Sequence, residues 1–315
     1  MSREGSPEVI EALDIVSHAW RGGDRIEPLR FDRSALASVG SRLADLGIAE
    51  PVSVSTEGSE AIPKSWSNAY DSRVDLSSMS GAQYDKIGRL SAALNCTGTL
   101  IGRRLVLTNA HCILNSSGNY VAGTFQADVR DSTEPYGEQD VLAAWWGGNY
   151  SGCTNWATCV PEDWAILLLE DNFPSGHPGW HGYAYSSTES NYDTYYADKR
   201  VHGYAGCGSG APSGCTSPRL YGQTFDCSIG DFRYPFSNGY NSTFSHGCDT
   251  NAGQSGSPVL DIGHGWVVGI HSTSMCNPTT CANESNSDRE RNPNLAKRLD
   301  SYIVNLISNL RATYP

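Results

Sequence analysis

The chain has 315 residues and a formal net charge of −12, from 34 acidic against 22 basic side chains. A surface this acidic repels a polyanion, which argues against nucleic acid as a partner, and no apolar run approaches the roughly 20 residues that span a bilayer. Ten cysteines against three methionines point to an oxidising compartment. No C-x-x-C pair and no zinc-type spacing occurs, so the cysteines are read as disulfides, and neither a metal nor a cofactor is expected.

In chain order, residues 7–20 and 34–47 carry helix-like apolar spacing (Val9, Leu13, Val16, Trp20; then Leu36, Val39, Leu43, Leu46). A stretch from Pro51 to Pro63, rich in Ser, Val and Glu, follows as a linker. We expect residues 1–64 to be a prosegment with linker, with Glu57, Glu60 and Lys64 as candidate cleavage sites, and 65–315 to be the main domain. The chain begins Met1-Ser2-Arg3 with no apolar leader, so export would depend on a signal not present in this sequence.

From Tyr84 to Asp261, many short apolar runs alternate with Gly, Asn, Ser and Pro clusters, the pattern of an all-β barrel or sandwich. Residues 96–112 read as a hairpin that ends on Thr108-Asn109-Ala110-His111, with Cys96 and Cys112 placed to staple it. In Pro161-Glu162-Asp163-Trp164-Ala165 a carboxylate stands at the mouth of a buried strand. In Gly253-Gln254-Ser255-Gly256-Ser257-Pro258 a serine sits between glycines ahead of another strand. Residues 293–311 carry apolar residues at helical spacing (Leu295, Leu299, Ile303, Leu306, Leu310), with Pro293 at the first position. Close pairs Cys153/Cys159, Cys207/Cys215 and Cys276/Cys281, with Cys227/Cys248 left over, complete the cysteines, although spacing alone leaves the connectivity open. Sequons stand at Asn95, Asn115, Asn149, Asn241 and Asn283, and no carboxylate cluster reads as a calcium site.

A serine hydroxyl needs a base to take its proton and donors to stabilise the oxyanion it creates. His111, Asp163 and Ser255 supply base, orienting carboxylate and nucleophile, the parts of an acyl-transfer triad. These three motifs, in the order His, Asp, Ser, resemble the chymotrypsin-fold serine proteases, and most of all the bacterial glutamyl endopeptidases. His202-Gly203-Tyr204 and Val268-Gly269-Ile270-His271 extend the likeness over roughly residues 70 to 311. The resemblance implies two six-stranded antiparallel β-barrels with the triad in the cleft between them. It also implies a Cys96–Cys112 disulfide, an oxyanion hole formed by the amides of Gly253 and Ser255, and Ser272 on the wall where substrate backbone pairs. Protein or peptide substrates and a secreted monomer follow from the same likeness.

For specificity, the resemblance matches Thr250, His271 and Ser274 to a pocket that takes a glutamate side chain. Asp249, six residues before the nucleophile, matches instead the aspartate that selects Arg or Lys in trypsin-type enzymes. Two carboxylates ~4 Å apart repel by about 4 kcal/mol at an effective dielectric near 20, so Asp249 and a substrate glutamate exclude each other. The residues favour glutamate; cleavage after Arg or Lys, and a non-catalytic binding protein on a protease scaffold, are the alternatives. An esterase with the order Ser, Asp, His fits poorly, because here the serine comes last and leads into a strand.

Overall fold

The computed structural model describes residues 73–79, 83–147, 150, 159–173, 175–185, 199–207, 214–227, 229, 243–274 and 294–315. The expected prosegment, Cys153, Cys276, Cys281 and the Ser274 side chain lie outside the described residues.

Six strands close the first barrel in the order β2-β3-β4-β7-β6-β5. They are β2 (Ile87–Ser91), β3 (Asn95–Leu100), β4 (Leu105–Thr108), β5 (Thr124–Ala127), β6 (Glu138–Trp146) and β7 (Ala165–Leu169), paired antiparallel throughout. Strands β4 and β7 are buried at every position, which hides their alternation in a simple apolar reading. The period of two survives in where the side chains go. Val106, Ala165, Leu167 and Leu169 fill the barrel with Leu90, Leu100 and Phe125. Leu105, Leu107, Ile166 and Leu168 point the other way and pack with Leu260, Ile270 and the terminal helix.

The second half is an eight-stranded sheet, also mostly antiparallel. Its six-strand run is β10 (Leu220–Gly222), β9 (Lys199–Tyr204), β12 (Pro258–Asp261), β13 (Trp266–Ser274), β14 (Asn294–Arg298) and β11 (Thr243–His246). To these six, β1 (Val74–Asp75) is added beside β10, and β8 (Gly182–Tyr183) pairs parallel with β13. Val201, Phe244, Val259, Val268 and Ala296 form its core. A closed barrel and a second six-strand run with two additions constitute the chymotrypsin fold expected from the sequence. Disulfides join Cys96–Cys112, Cys207–Cys215 and Cys227–Cys248, three of the pairings named above.

The terminal helix is shorter than its apolar spacing implied. Residues Asn294–Arg298 form β14, and the helix α1 runs Ser301–Thr313. Asp300 sets the boundary by capping α1, its carboxylate accepting from Ile303 N at 3.0 Å, while Leu295 and Ala296 are claimed by ladders to β11 and β13. Ile303, Leu306, Ile307 and Leu310 bury the helix against the first barrel. No helix among the described residues is long and apolar enough to cross a membrane.

Candidate active site

His111 lies in a single 3₁₀ turn, Ala110–Cys112, immediately after β4, and the Cys96–Cys112 disulfide holds that turn against β3. Asp163 closes another short turn, Val160–Glu162, one residue before Trp164 leads into β7. Because β4 and β7 are neighbours, with Thr108 opposite Ala165, the two turns emerge side by side at one end of the barrel. Asn109 clips them together, its Nδ2 donating to the Asp163 carbonyl at 2.7 Å.

The Asp163 carboxylate is 2 % exposed and is compensated by three donors. His111 N donates to Oδ1 at 3.0 Å, and His111 Nδ1 meets Oδ2 at 2.8 Å. The Ser272 hydroxyl donates to the same Oδ2. A buried carboxylate needs such partners, and these fix the imidazole with its Nδ1–H on the carboxylate and Nε2 left as acceptor. Burial alone would lower the His111 pKa; the charge of Asp163 and its hydrogen bond outweigh that, and the net shift is upward from 6.5.

Ser255 lies in the second half, on the turn before β12. Gly253 and Gly256, on either side of it, have φ of +92° and +83°. A Cβ at Gly253 would lie 2.6 Å from the Tyr204 carbonyl, and one at Gly256 would collide with the Thr97 carbonyl. Both positions therefore require glycine. The Ser255 hydroxyl donates to the Ser272 carbonyl at 3.5 Å. Ser272 thus touches two members of the expected triad, one through its side chain and one through its backbone. A bulge makes this possible: β14 pairs Ala296 with His271 and Leu295 with Thr273, leaving Ser272 as the extra residue of β13.

In the expected specificity pocket, His271 is 3 % exposed and its Nδ1 meets Nε2 of the fully buried His246 at 3.1 Å, ring edge to face. Burial, reinforced by the neighbouring His246, His111 and Arg73, holds His271 well below 6.5, and burial pushes His246 down to about 3. Both rings are neutral at pH 7. Thr250 and Asp249 are half-buried on the approach to the Ser255 turn. His246 was not among the expected pocket residues. It sits on β11, beyond β14 from His271, and only the strand register brings the two together.

Cys96, His111 and Cys112 also lie together, but the two sulfurs are joined as a disulfide and offer no thiolate to a metal.

The fold is that of the chymotrypsin-like serine endopeptidases, with the His–Asp turns on the first half and the serine turn on the second linked through Ser272. Residues 76–287 match the Trypsin family, and the chain belongs to that family as a serine endopeptidase. Among solved structures, it is similar to a Glu endopeptidase in complex with MPD (19 % identity, TM-score 0.57), covering 77 % of this chain and 98 % of that one. It is also similar to the protease Anisep from Arthrobacter nicotinovorans (15 %, TM-score 0.54), covering 74 % of this chain and 98 % of the other. A third likeness is to the thermostable serine protease AL20 from an extremophilic microorganism (13 %, TM-score 0.53; 75 % and 100 % covered). At these identities the structures speak to the fold alone. No curated protein sequence matches the chain.

Proposed function

We propose that this endopeptidase cleaves polypeptides after glutamate, with Ser255 as nucleophile, His111 as base and Asp163 as the group that orients the base. The observation that carries the catalytic reading is the buried Asp163 carboxylate holding His111 Nδ1 at 2.8 Å, which leaves Nε2 as the ring's proton acceptor. Ser255 Oγ attacks the scissile carbonyl carbon as His111 Nε2 takes its proton, and the imidazolium then protonates the leaving amine. Water repeats the sequence to release the acyl group. In this reading the Ser255 hydroxyl gives up its long 3.5 Å bond to the Ser272 carbonyl in favour of His111. The amides of Gly253 and Ser255 receive the oxyanion.

The preference for glutamate rests on the proton arrangement in the histidine pair. Nδ1 of His246 has no hydrogen-bond partner among the described residues. A buried orphan acceptor is tolerated better than an orphan N–H, so the shared proton belongs on His246 Nε2, donated to His271 Nδ1. His271 then carries its own proton on Nε2 and presents a neutral donor suited to a carboxylate. The Glu endopeptidase among the similar structures supports this reading. Asp249 would be turned from the ligand; cleavage after Arg or Lys is the outcome if it is not. Export, with residues 1–64 acting as a removable prosegment, completes the proposal and is supported by the three disulfides.

Cleavage of a mixed peptide library, with products sequenced and a Ser255→Ala control, tests both parts. Cuts after glutamate that vanish in the control are expected. Cuts after Arg or Lys would reassign the pocket to Asp249, and cuts that persist in the control would remove Ser255 from the mechanism. Amino-terminal sequencing of the active enzyme tests the prosegment, since an active chain that still begins at Met1 contradicts it.

A further inference from the structure

Gln254 stands between the two residues whose amides are assigned to the oxyanion, and its side chain is fully buried. Its amide oxygen accepts from the Arg73 guanidinium and from Asn251 N at 3.1 Å, while its Nε2 donates to the Tyr221 carbonyl at 3.3 Å. The same Arg73 nitrogen donates to Asn251 Oδ1 at 2.6 Å. Asn251 Nδ2 passes the constraint on to the Gly206 carbonyl at 2.7 Å, and Gly206 N donates to the Ala252 carbonyl at 2.7 Å.

The C=O and N–H of a trans peptide point in opposite directions. The bond to the Ala252 oxygen therefore fixes where Gly253 N–H points. In the same way Ser257 N, donating to the Gln254 carbonyl at 3.0 Å, fixes Ser255 N–H. An unbroken series of hydrogen bonds leads from one buried guanidinium to the direction of an oxyanion donor.

Arg73, 7 % exposed, immediately precedes β1. That short strand is itself anchored, pairing Val74 with Gly222 and Asp75 with Tyr221, and holding the Arg219 guanidinium on Asp75 at 2.5 Å. A permanently charged, planar donor suits this task, since it grips two carboxamide oxygens at any working pH. Gln254 is neutral, so nothing at that position would draw in a free amine by charge.

We propose that Arg73 is the positioning residue of the oxyanion hole, ordering Gly253 N–H through Asn251 and Gln254 once β1 is docked on β10. The inference rests on the assignment of Ser255 and its neighbouring amides made above. Without the guanidinium, Asn251 Oδ1 and Gln254 Oε1 each lose a buried donor, and the Ala252–Gly253 peptide is freed to rotate.

The test compares wild type, Arg73→Met, Arg73→Ala and Ser255→Ala in the full chain, on the best peptide from the library. Loss of one complete oxyanion donor costs about 10²–10³ in kcat, so Arg73→Met should lose about 10- to 100-fold in kcat with KM within about twofold. The inhibition constant of a matching peptide aldehyde, whose hemiacetal oxygen sits in the same hole, should weaken by the same factor. Methylguanidinium added to Arg73→Ala should restore part of the lost kcat. An unchanged kcat, or a rise in KM alone, would overturn the proposal. Should Arg73→Met melt below wild type, Arg73→Lys is read instead, and a kcat equal to wild type there, with no methylguanidinium rescue of Arg73→Ala, would overturn it equally. Activity persisting in Ser255→Ala would show that the catalytic assignment had failed, whereas an inactive Ser255→Ala beside a fully active Arg73→Met would refute the role of Arg73 alone.

Discussion

As the proposed base, His111 would work only while it is neutral, so its raised pKa has a direct kinetic sign. As the pH falls, the folded enzyme protonates His111 at a value above 6.5, and kcat/KM should drop about tenfold per further unit. Asp163→Asn removes the charge that raises the pKa and allows the wrong tautomer. The acid limb should then move to lower pH while the plateau falls by about 10⁴ in kcat. A pH–rate profile of both enzymes checks this, and an unshifted limb in the variant would detach Asp163 from His111. At Gly256 the requirement is steric, because a Cβ there meets the Thr97 carbonyl and the backbone has positive φ. Gly256→Ala should therefore lose nearly all turnover, measurable as failure of a serine-directed phosphonate to label the folded variant.

At the level of elements, β3 is the strut between the two halves. Thr97 is fully buried; its hydroxyl accepts from Tyr204 N at 2.8 Å and donates to the Gly253 carbonyl at 3.0 Å. Its own N–H donates to the Ser255 carbonyl at 2.8 Å. Thr97→Val keeps the shape and strands the buried Tyr204 N–H, so a loss of about 1–3 kcal/mol in urea unfolding is expected, with a fall in kcat, while Thr97→Ser stays near wild type. A Thr97→Val protein as stable as wild type would mean that the strut carries no energy. Elements also mark how far sequence reasoning reached. His111, Asp163 and Ser255 could be picked out as candidates because each stands beside a strand in a short local pattern. Arg73, Thr97 and His246 could not, because their partners lie 181, 156 and 25 residues away and depend on strand register. The helix over 293–311 was misjudged for a related reason: Leu295 and Leu299 fit a helical period, but the cap at Asp300 and the ladders of β14 decide the local structure.

Across the whole molecule, the second half buries three histidines that burial keeps neutral: His202 down to about 4, His246 to about 3, and His271 well below 6.5. In the unfolded chain each titrates near 6.5. Above that pH these rings are uncharged in both states and cost the fold nothing. Below it the unfolded chain takes up protons that the folded chain refuses, and each histidine costs about 1.4 kcal/mol per pH unit. His111, with its raised pKa, acts in the window above 6.5 and with the opposite sign, favouring the fold as the pH comes down to that value. Asp75 and Asp300, held low, lose their contribution only below 3.8. His181, whose two nitrogens face the carbonyls of Gln83 and Gly265 at 2.9 and 3.3 Å, is nevertheless pushed down to about 4 by burial and adds to the same loss. Between pH 6.5 and 5 the slope should therefore approach four protons, about 5 kcal/mol per unit. A domain stable by about 5–15 kcal/mol cannot lose that for long, so unfolding near pH 4–5 is expected. Urea titrations at pH 6.5, 6.0, 5.5 and 5.0 measure the slope directly, and His246→Gln should reduce it by one proton. A flat profile over that range would mean that these rings take up protons in place, and that the neutral His246–His271 pair is not the state the folded protein holds.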